Sequence, residues 1–378
     1  MQPRSRTQPN DFRREEVAQI MQRWRAGESC SLVGVGSVGK SNLLQHISDP
    51  ATIRHYLGIE NPDHFKAITI DPNLLAALPE DGENMQQVQC WAGYELMMHR
   101  LYMAFYPFDV LGAEDAERFY NTYLAFQDGS NPLYAYMGLR YFELGLDYFL
   151  RRGIRIVFMF DEFEEMMKTL PVKFFLTLRG IRDINKRLLS YLTFTRMPLP
   201  SLVEQFDIPM LAIEPFTELF TDNLLYVGPY NELDGQRMAE SLMSRNQKNY
   251  PDQTVKFLLW STGRYAGLIR AGFRVIETVG SIDQASMLND ELARKLAAKR
   301  PVREECRTIW TSLTPAEHHV LKAAARLTSF ASNAETDSAV TLLVQKKLLQ
   351  ADKINQTLEI QPPVFRAFVN TNPEIDID

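Results

Sequence analysis

The stretch LVGVGSVGKSNLL, Leu32 to Leu44, decides the fold. Within it, Gly34-Val35-Gly36-Ser37-Val38-Gly39-Lys40-Ser41 fits the spacing G-x-x-x-x-G-K-[ST] of a phosphate-binding loop, or P-loop. The flanks supply the context this spacing needs. Cys30-Ser31-Leu32-Val33 ahead of it is short and apolar, as a buried strand is. Ser41-Asn42-Leu43-Leu44-Gln45-His46-Ile47 behind it carries apolar residues at helical spacing. Glycines let the backbone curl until its N–H groups point inward as a nest for an anion, and the next helix adds the positive end of its dipole. Gly34, Gly36, Ser37, Val38 and Gly39, with Lys40, Ser41 and Asn42, are therefore the candidate residues for a nucleoside triphosphate. Lys40 is expected to reach the β- and γ-phosphates and Ser41 to hold Mg²⁺. The spacing does not choose between ATP and GTP.

The chain has 378 residues, 45% of them hydrophobic and 23% charged, a globular composition with core enough for two or three domains. No apolar run approaches a membrane span, and the polar start MQPRSRTQPN reads as a disordered tail without the apolar core of a signal peptide. Cys30, Cys90 and Cys306 are scattered, and neither they nor the six histidines stand at metal-ligand spacing. A reduced, cytoplasmic setting is expected. The net charge of −6 argues against general nucleic-acid binding. The sign is not uniform, because Arg294 to Arg366 holds 12 Lys/Arg against 7 Asp/Glu, so this part can meet an anionic partner.

Along the chain, strands alternate with helices. Phe65 to Pro72 reads as a strand, residues 91–149 as helices, Ile154 to Phe160 as a buried strand, about 171–190 as a helix, Tyr191 to Arg196 as a strand and Met210 to Ile213 as another. This order predicts an α/β fold with a parallel sheet, whose ligands bind beyond the carboxyl ends of the strands. The helical stretch holds 16 Phe, Tyr and Trp in 59 positions, mixed with Leu and Met at helical spacing, which reads as packed core rather than as a base-stacking surface. After Glu218 come helices at about 233–246, 252–261 and through Ala271 to Ile276, a small helical subdomain. Beyond about 293 the composition changes again. Thr314-Pro315-Ala316-Glu317 carries a capping box, a helix from Asp337 to Leu348 follows, and Leu349 to Lys353 with Thr357 to Ile360 reads as a hairpin. Helix, helix, hairpin is the order of a winged helix. The expected layout is a tail over 1–10, a P-loop core over 11–218, a helical lid over 219–292 and a winged-helix domain over 293–378.

Asp161, directly after the strand Ile154 to Phe160, stands where a Walker B aspartate holds Mg²⁺ opposite Ser41. Glu162 beside it is the candidate to polarise an attacking water, which makes hydrolysis the expected use of the site. Glu164 and Glu165 read as a solvated acidic helix start. Arg196, past the next strand, is a candidate sensor of the γ-phosphate. Arg264, in Ser261-Thr262-Gly263-Arg264-Tyr265-Ala266-Gly267, is a second candidate from the lid, with Arg270 competing for that role.

With these residues in place, the chain resembles the AAA+/STAND division of P-loop ATPases, in particular the prokaryotic and archaeal-type ATPases with a lid and a C-terminal winged helix. The matching pieces are GVGSVGKS, IVFMFDEFEE, LTFTRMPLP, STGRYAGLI, LTPAEHHVLKAAA and PPVFRAFV. Tyr265-Ala266 stands where a proline is often found. The resemblance implies ATP-dependent homo-oligomerisation and an arginine finger from a neighbouring subunit. Arg182 and Arg187 lie in the appropriate segment.

Two functions remain open at this stage. One is an ATP/ADP switch that controls a partner protein through the winged helix. The alternative is a DNA-engaging ATPase, an initiator, loader or transposition regulator, using the winged helix and the basic run Arg294 to Arg303. The expected reading helix, Ala339 to Lys347, is mostly apolar and offers few groups to base edges, which favours a protein partner. A small-molecule kinase explains neither the lid-plus-winged-helix order nor Glu162 beside Asp161.

Overall fold

In the computed structural model the described residues are 8–75, 78, 81–82, 84–130, 133–283, 287–329, 331–352 and 357–371. Residues 1–7 of the expected tail, Lys353 of the expected hairpin, its turn and residues 372–378 lie outside them. The chain forms two compact units, Met1–Val33 with Ser41–Leu225, and Gly34–Lys40 with Tyr226–Asp378.

The first unit is built on a sheet. In chain order its elements are α1 (Arg14–Ala26), β1 (Cys30–Val33), α2 (Lys40–Ser48), α3 (Pro50–Leu57), β2 (Phe65–Ile70), α4 (Met85–Phe105), α5 (Ala113–Gln127), α6 (Tyr134–Leu150), β3 (Arg155–Phe160), α7 (Phe163–Thr169), α8 (Val172–Ile184), β4 (Leu189–Thr195), α9 (Leu199–Gln205), α10 (Met210–Thr217) and β5 (Leu224–Tyr226). The sheet order is β2-β3-β4-β1-β5. Strands β1 to β4 run parallel, with Val33 opposite Thr195, Phe160 opposite Thr193 and Ile70 opposite Phe160. Their carboxyl ends thus share one edge. Every residue of β1 and β4 is buried, as a parallel sheet covered on both faces requires. After β1 the chain crosses to the far strand β2, fills β3 and β4 on the way back, and places β5 on the other side of β1. The order therefore reverses at β1, the kind of switch point at which α/β sheets bind ligands.

The aromatic stretch is core, as its spacing predicts. Phe105 and Phe149 stack at 4.1 Å, Phe119 meets Phe149 at 5.0 Å, and Tyr94, Phe126 and Phe142 are buried with them. One expected strand is absent. Met210 to Ile213 opens the helix α10, in which Ile213 and Phe216 are buried while Leu211 is 83% exposed. Ile213 and Phe216, three residues apart, share the side that the helix buries.

The second unit contains α11 (Glu232–Asn246), α12 (Asp252–Ser261), α13 (Ala266–Val275), α14 (Asp290–Ala297), α15 (Arg300–Trp310), α16 (Pro315–Arg326), α17 (Ala334–Gln345), the antiparallel pair β6 (Leu349–Asp352) and β7 (Thr357–Ile360), and α18 (Pro363–Thr371). The capping box forms: the Thr314 hydroxyl accepts the Glu317 N–H at 3.2 Å, and the Glu317 carboxylate accepts the Thr314 N–H at 2.9 Å. Glu317 also receives the Lys346 ammonium at 2.7 and 2.8 Å, both side chains fully buried. Burial holds the Lys346 pKa below the usual lysine value. Among the described residues, no helix is long and apolar enough to cross a membrane.

Candidate functional site

The loop after β1 takes the shape its glycines allow. Ser37 and Gly39 have φ of 68° and 90°, the left-handed region, and they turn the backbone between them. Helix α2 begins at Lys40, so its positive end closes the loop. Val35 and Val38 are buried anchors, the Lys40 ammonium is buried, Ser41 is exposed on the first helical turn and Asn42 is half-buried. The Ser41 hydroxyl and the Asp161 carboxylate are hard oxygen donors of the type Mg²⁺ takes, and the left-handed turn at Ser37 and Gly39 is of the type that suits a phosphate.

The loop residues Gly34–Lys40 belong to the second unit, and later residues of that unit engage them. The Ser37 carbonyl accepts the Gly267 N–H at 2.9 Å, the Ser37 hydroxyl donates to the Glu305 carboxylate, and the Gly36 N–H donates to the Ser312 hydroxyl at 3.4 Å. A Cβ at Gly39 would stand 2.9 Å from the Tyr230 hydroxyl and 3.1 Å from Ala266. Helix α13 thus meets the loop through Ala266 and Gly267. Arg264, the lid candidate for the phosphates, is engaged within the second unit. It has φ of 63°, its Nε donates to the Tyr230 carbonyl at 2.9 Å, and its stem covers Gly235. Arg270 is exposed.

At the carboxyl edge of the sheet a second cluster forms. The Asp161 N–H donates to the Ile70 carbonyl at 3.0 Å, and the Asp161 carboxylate accepts the Glu162 N–H at 3.0 Å. Glu162 sits at φ 45°, a strained value for a residue with a side chain. One oxygen of its carboxylate accepts the Asn73 amide at 3.4 Å, and the other lies 3.6 Å from Arg196. Arg196 also stands 3.4 Å from Glu164. Glu164 is buried, so the solvated helix start expected for it is wrong: α7 turns this carboxylate inward, where Arg196 offsets the cost of its burial. Asp161, Glu162 and Arg196 are thus brought to one edge, as their strand-end positions imply.

Asn73 was missed by sequence reading. Its N–H and its amide both donate to Asp71 at 2.9 Å, a local turn that ends β2 and directs the amide toward Glu162. The signal was Asp-Pro-Asn at a strand end. Of the two arginines considered for a finger, Arg182 donates to the Gly27 carbonyl at 3.3 Å and pairs with Asp183 at 3.4 Å, whereas Arg187 is exposed. The thiols of Cys30 and Cys306 are buried and desolvated, which pushes Cys30 up to about 12 and Cys306 up as well, so neither supplies a thiolate at neutral pH.

The whole architecture has solved counterparts. The Walker-type ATPase PABY2304 of Pyrococcus abyssi is 15% identical, with 95% of each chain covered and a TM-score of 0.52. The ORC2 protein of Aeropyrum pernix, solved in ADPNP and ADP complexes, is 13% identical over 96% of this chain and 92% of its own, with a TM-score of 0.51. The fold shared with these two structures is that of an α/β P-loop NTPase core. At these identities the likeness concerns fold and not activity. No protein-family model matches the sequence, and no curated protein matches it.

Proposed function

We propose that the chain binds ATP with Mg²⁺ and hydrolyses it slowly, as an AAA+/STAND-type switch whose ATP and ADP states differ in assembly and thereby control a partner. The observation that carries this reading is the constellation Asp161, Glu162, Asn73 and Arg196 at the carboxyl edge of a sheet whose order reverses at the P-loop strand. Lys40 and the loop amides bind the phosphates and orient them. Ser41 and Asp161 hold Mg²⁺, which when bound neutralises phosphate charge. Glu162 accepts a hydrogen bond from the attacking water and takes its proton. For that it must leave Asn73 and Arg196, so the resting contacts keep turnover low. Arg196, once free of Glu162, is a cation at the edge where the γ-phosphate is expected.

A protein partner is favoured over DNA by the surface of α17, read here as the second helix of a winged helix. Lys346 is buried against Glu317, so the exposed positions carry Glu335 and Asp337 with Lys347 and Gln345. An acidic helix start is repelled by a phosphate backbone. DNA engagement through the basic run at Arg294 to Arg303 is the alternative, and binding that weakens steeply between low and physiological salt is its mark. The nucleotide reading is tested by ATP affinity and turnover of the wild type against Lys40→Ala. Loss of both in the variant supports it, and equal affinity in a folded variant refutes it.

A further inference from the structure

The P-loop carries a carboxylate of this same chain on its Ser37 hydroxyl. Glu305, on α15, accepts the Ser37 hydroxyl, and among the described residues it has no cationic partner. Its carboxylate oxygen lies 2.2 Å from where a Cβ on Gly267 would stand, at the N-terminal turn of α13. That turn donates the Gly267 N–H to the loop at Ser37. The carboxylate therefore lies between the Ser37 hydroxyl and the N-terminal turn of α13, whose positive end favours an anion. Two further contacts close the same stretch of loop. The buried Gly36 N–H is spent on the Ser312 hydroxyl, and a Cβ at Gly36 would stand 2.5 Å from the Thr308 methyl and 3.0 Å from the Thr308 carbonyl. Glu305, Thr308 and Ser312 recur at three- and four-residue spacing, so α15 and the turn after it present one continuous edge to the loop.

We infer that α15 is a latch on the nucleotide site: Glu305 and Ser312 hold P-loop donors that a nucleotide's phosphates would take, so phosphate binding and docking of α15 exclude one another. This rests on the nucleotide reading above. Its consequence is a competition within one chain. The apparent affinity for nucleotide is reduced by the fraction of molecules with the latch docked. Conversely, nucleotide releases α15. The Cys306 thiol donates to the Val364 carbonyl, which ties α15 to α18, so release is transmitted to the helices and hairpin that form the partner surface.

The test uses the full chain, with ATPγS and Mg²⁺ as the probe. Glu305→Gln removes the charge, Glu305→Ala removes the carboxylate, Ser312→Ala frees the Gly36 amide, and Lys40→Ala is the control for the nucleotide reading. Glu305→Ala should bind ATPγS roughly tenfold more tightly than the wild type, with Glu305→Gln and Ser312→Ala between them. In the wild type, saturating ATPγS should speed amide hydrogen exchange over residues 300–312. If the wild type binds, Lys40→Ala does not, and Glu305→Ala of unchanged thermal stability binds no more tightly, the latch falls and the nucleotide reading stands. Unchanged exchange over α15 at saturation, which needs no variant, also overturns it. If wild type and Glu305 variants alike fail to bind, the nucleotide reading falls and the latch falls with it.

Discussion

Asn73 holds Glu162. The amide stands 3.4 Å from one oxygen of a carboxylate whose other oxygen faces Arg196 at 3.6 Å. The residue proposed to activate water is thus occupied on both sides, by a neutral donor from the end of β2 and a cation from the end of β4. Glu162→Gln keeps size and removes basicity. It should bind ATP as well as the wild type and turn it over roughly 10²-fold more slowly, and it should therefore accumulate in the ATP-bound state. Wild-type turnover in this variant would sink the assignment of Glu162.

Asn73→Ala removes the neutral restraint alone. One hydrogen bond of about 1 kcal/mol corresponds to roughly a fivefold gain in the free carboxylate, so basal turnover should rise by about that factor with KM unchanged. A fall in turnover would mean that Asn73 orients Glu162 for the reaction instead of restraining it.

Arg196 has a structural partner as well as a proposed phosphate role. Arg196→Ala leaves Glu164 buried without its cation and should cost about 2 kcal/mol in urea unfolding. Glu164→Gln in the same background should restore most of that. Nucleotide-dependent assembly should stay lost in the double variant, a separation that a purely structural Arg196 would not produce.

Arg187 is the exposed arginine of the pair considered for a finger, since Arg182 is engaged within its own chain. Sedimentation of the wild type should shift to larger species with ATP and not with ADP. Arg187→Ala should assemble normally and hydrolyse ATP roughly 10³-fold more slowly, the lower end of the range for a lost arginine finger. Identical sedimentation under all nucleotide conditions would refute the assembly switch.

Glu317 and Lys346 form a fully buried pair whose carboxylate also completes a helix cap. Lys346→Ala strands that charge and should cost about 3–5 kcal/mol, seen as early unfolding in urea. Replacing both residues, Lys346→Met with Glu317→Leu, removes the stranded charge and should recover most of the loss.

The phosphate loop, its flanking strand and helix, and the Asp161-Glu162 pair were legible in Leu32 to Leu44 and Ile154 to Glu165 because covalent spacing alone sets that geometry: a glycine turn between strand and helix brings its own amides together. The aromatic core and the Thr314 capping box were legible for the same reason, since helical period and cap chemistry act over a few residues. Met210 to Ile213 misled because four apolar residues carry no period of their own, and packing chose the helix. Glu164 misled because a carboxylate near a helix start is stable in water or against a cation, and only the arrival of Arg196 from another strand decided between them. The Asn73 contact to Glu162 and the seating of Glu305 on Ser37 join residues separated by 89 and 268 positions. No local spacing encodes such pairs. They exist because strand order brings β2 beside β3, and because packing within the second unit, which includes Gly34–Lys40, sets α15 against the loop. The sequence by itself determined which groups are the candidates for phosphate, and the tertiary structure decided which of them are held by the protein's own side chains.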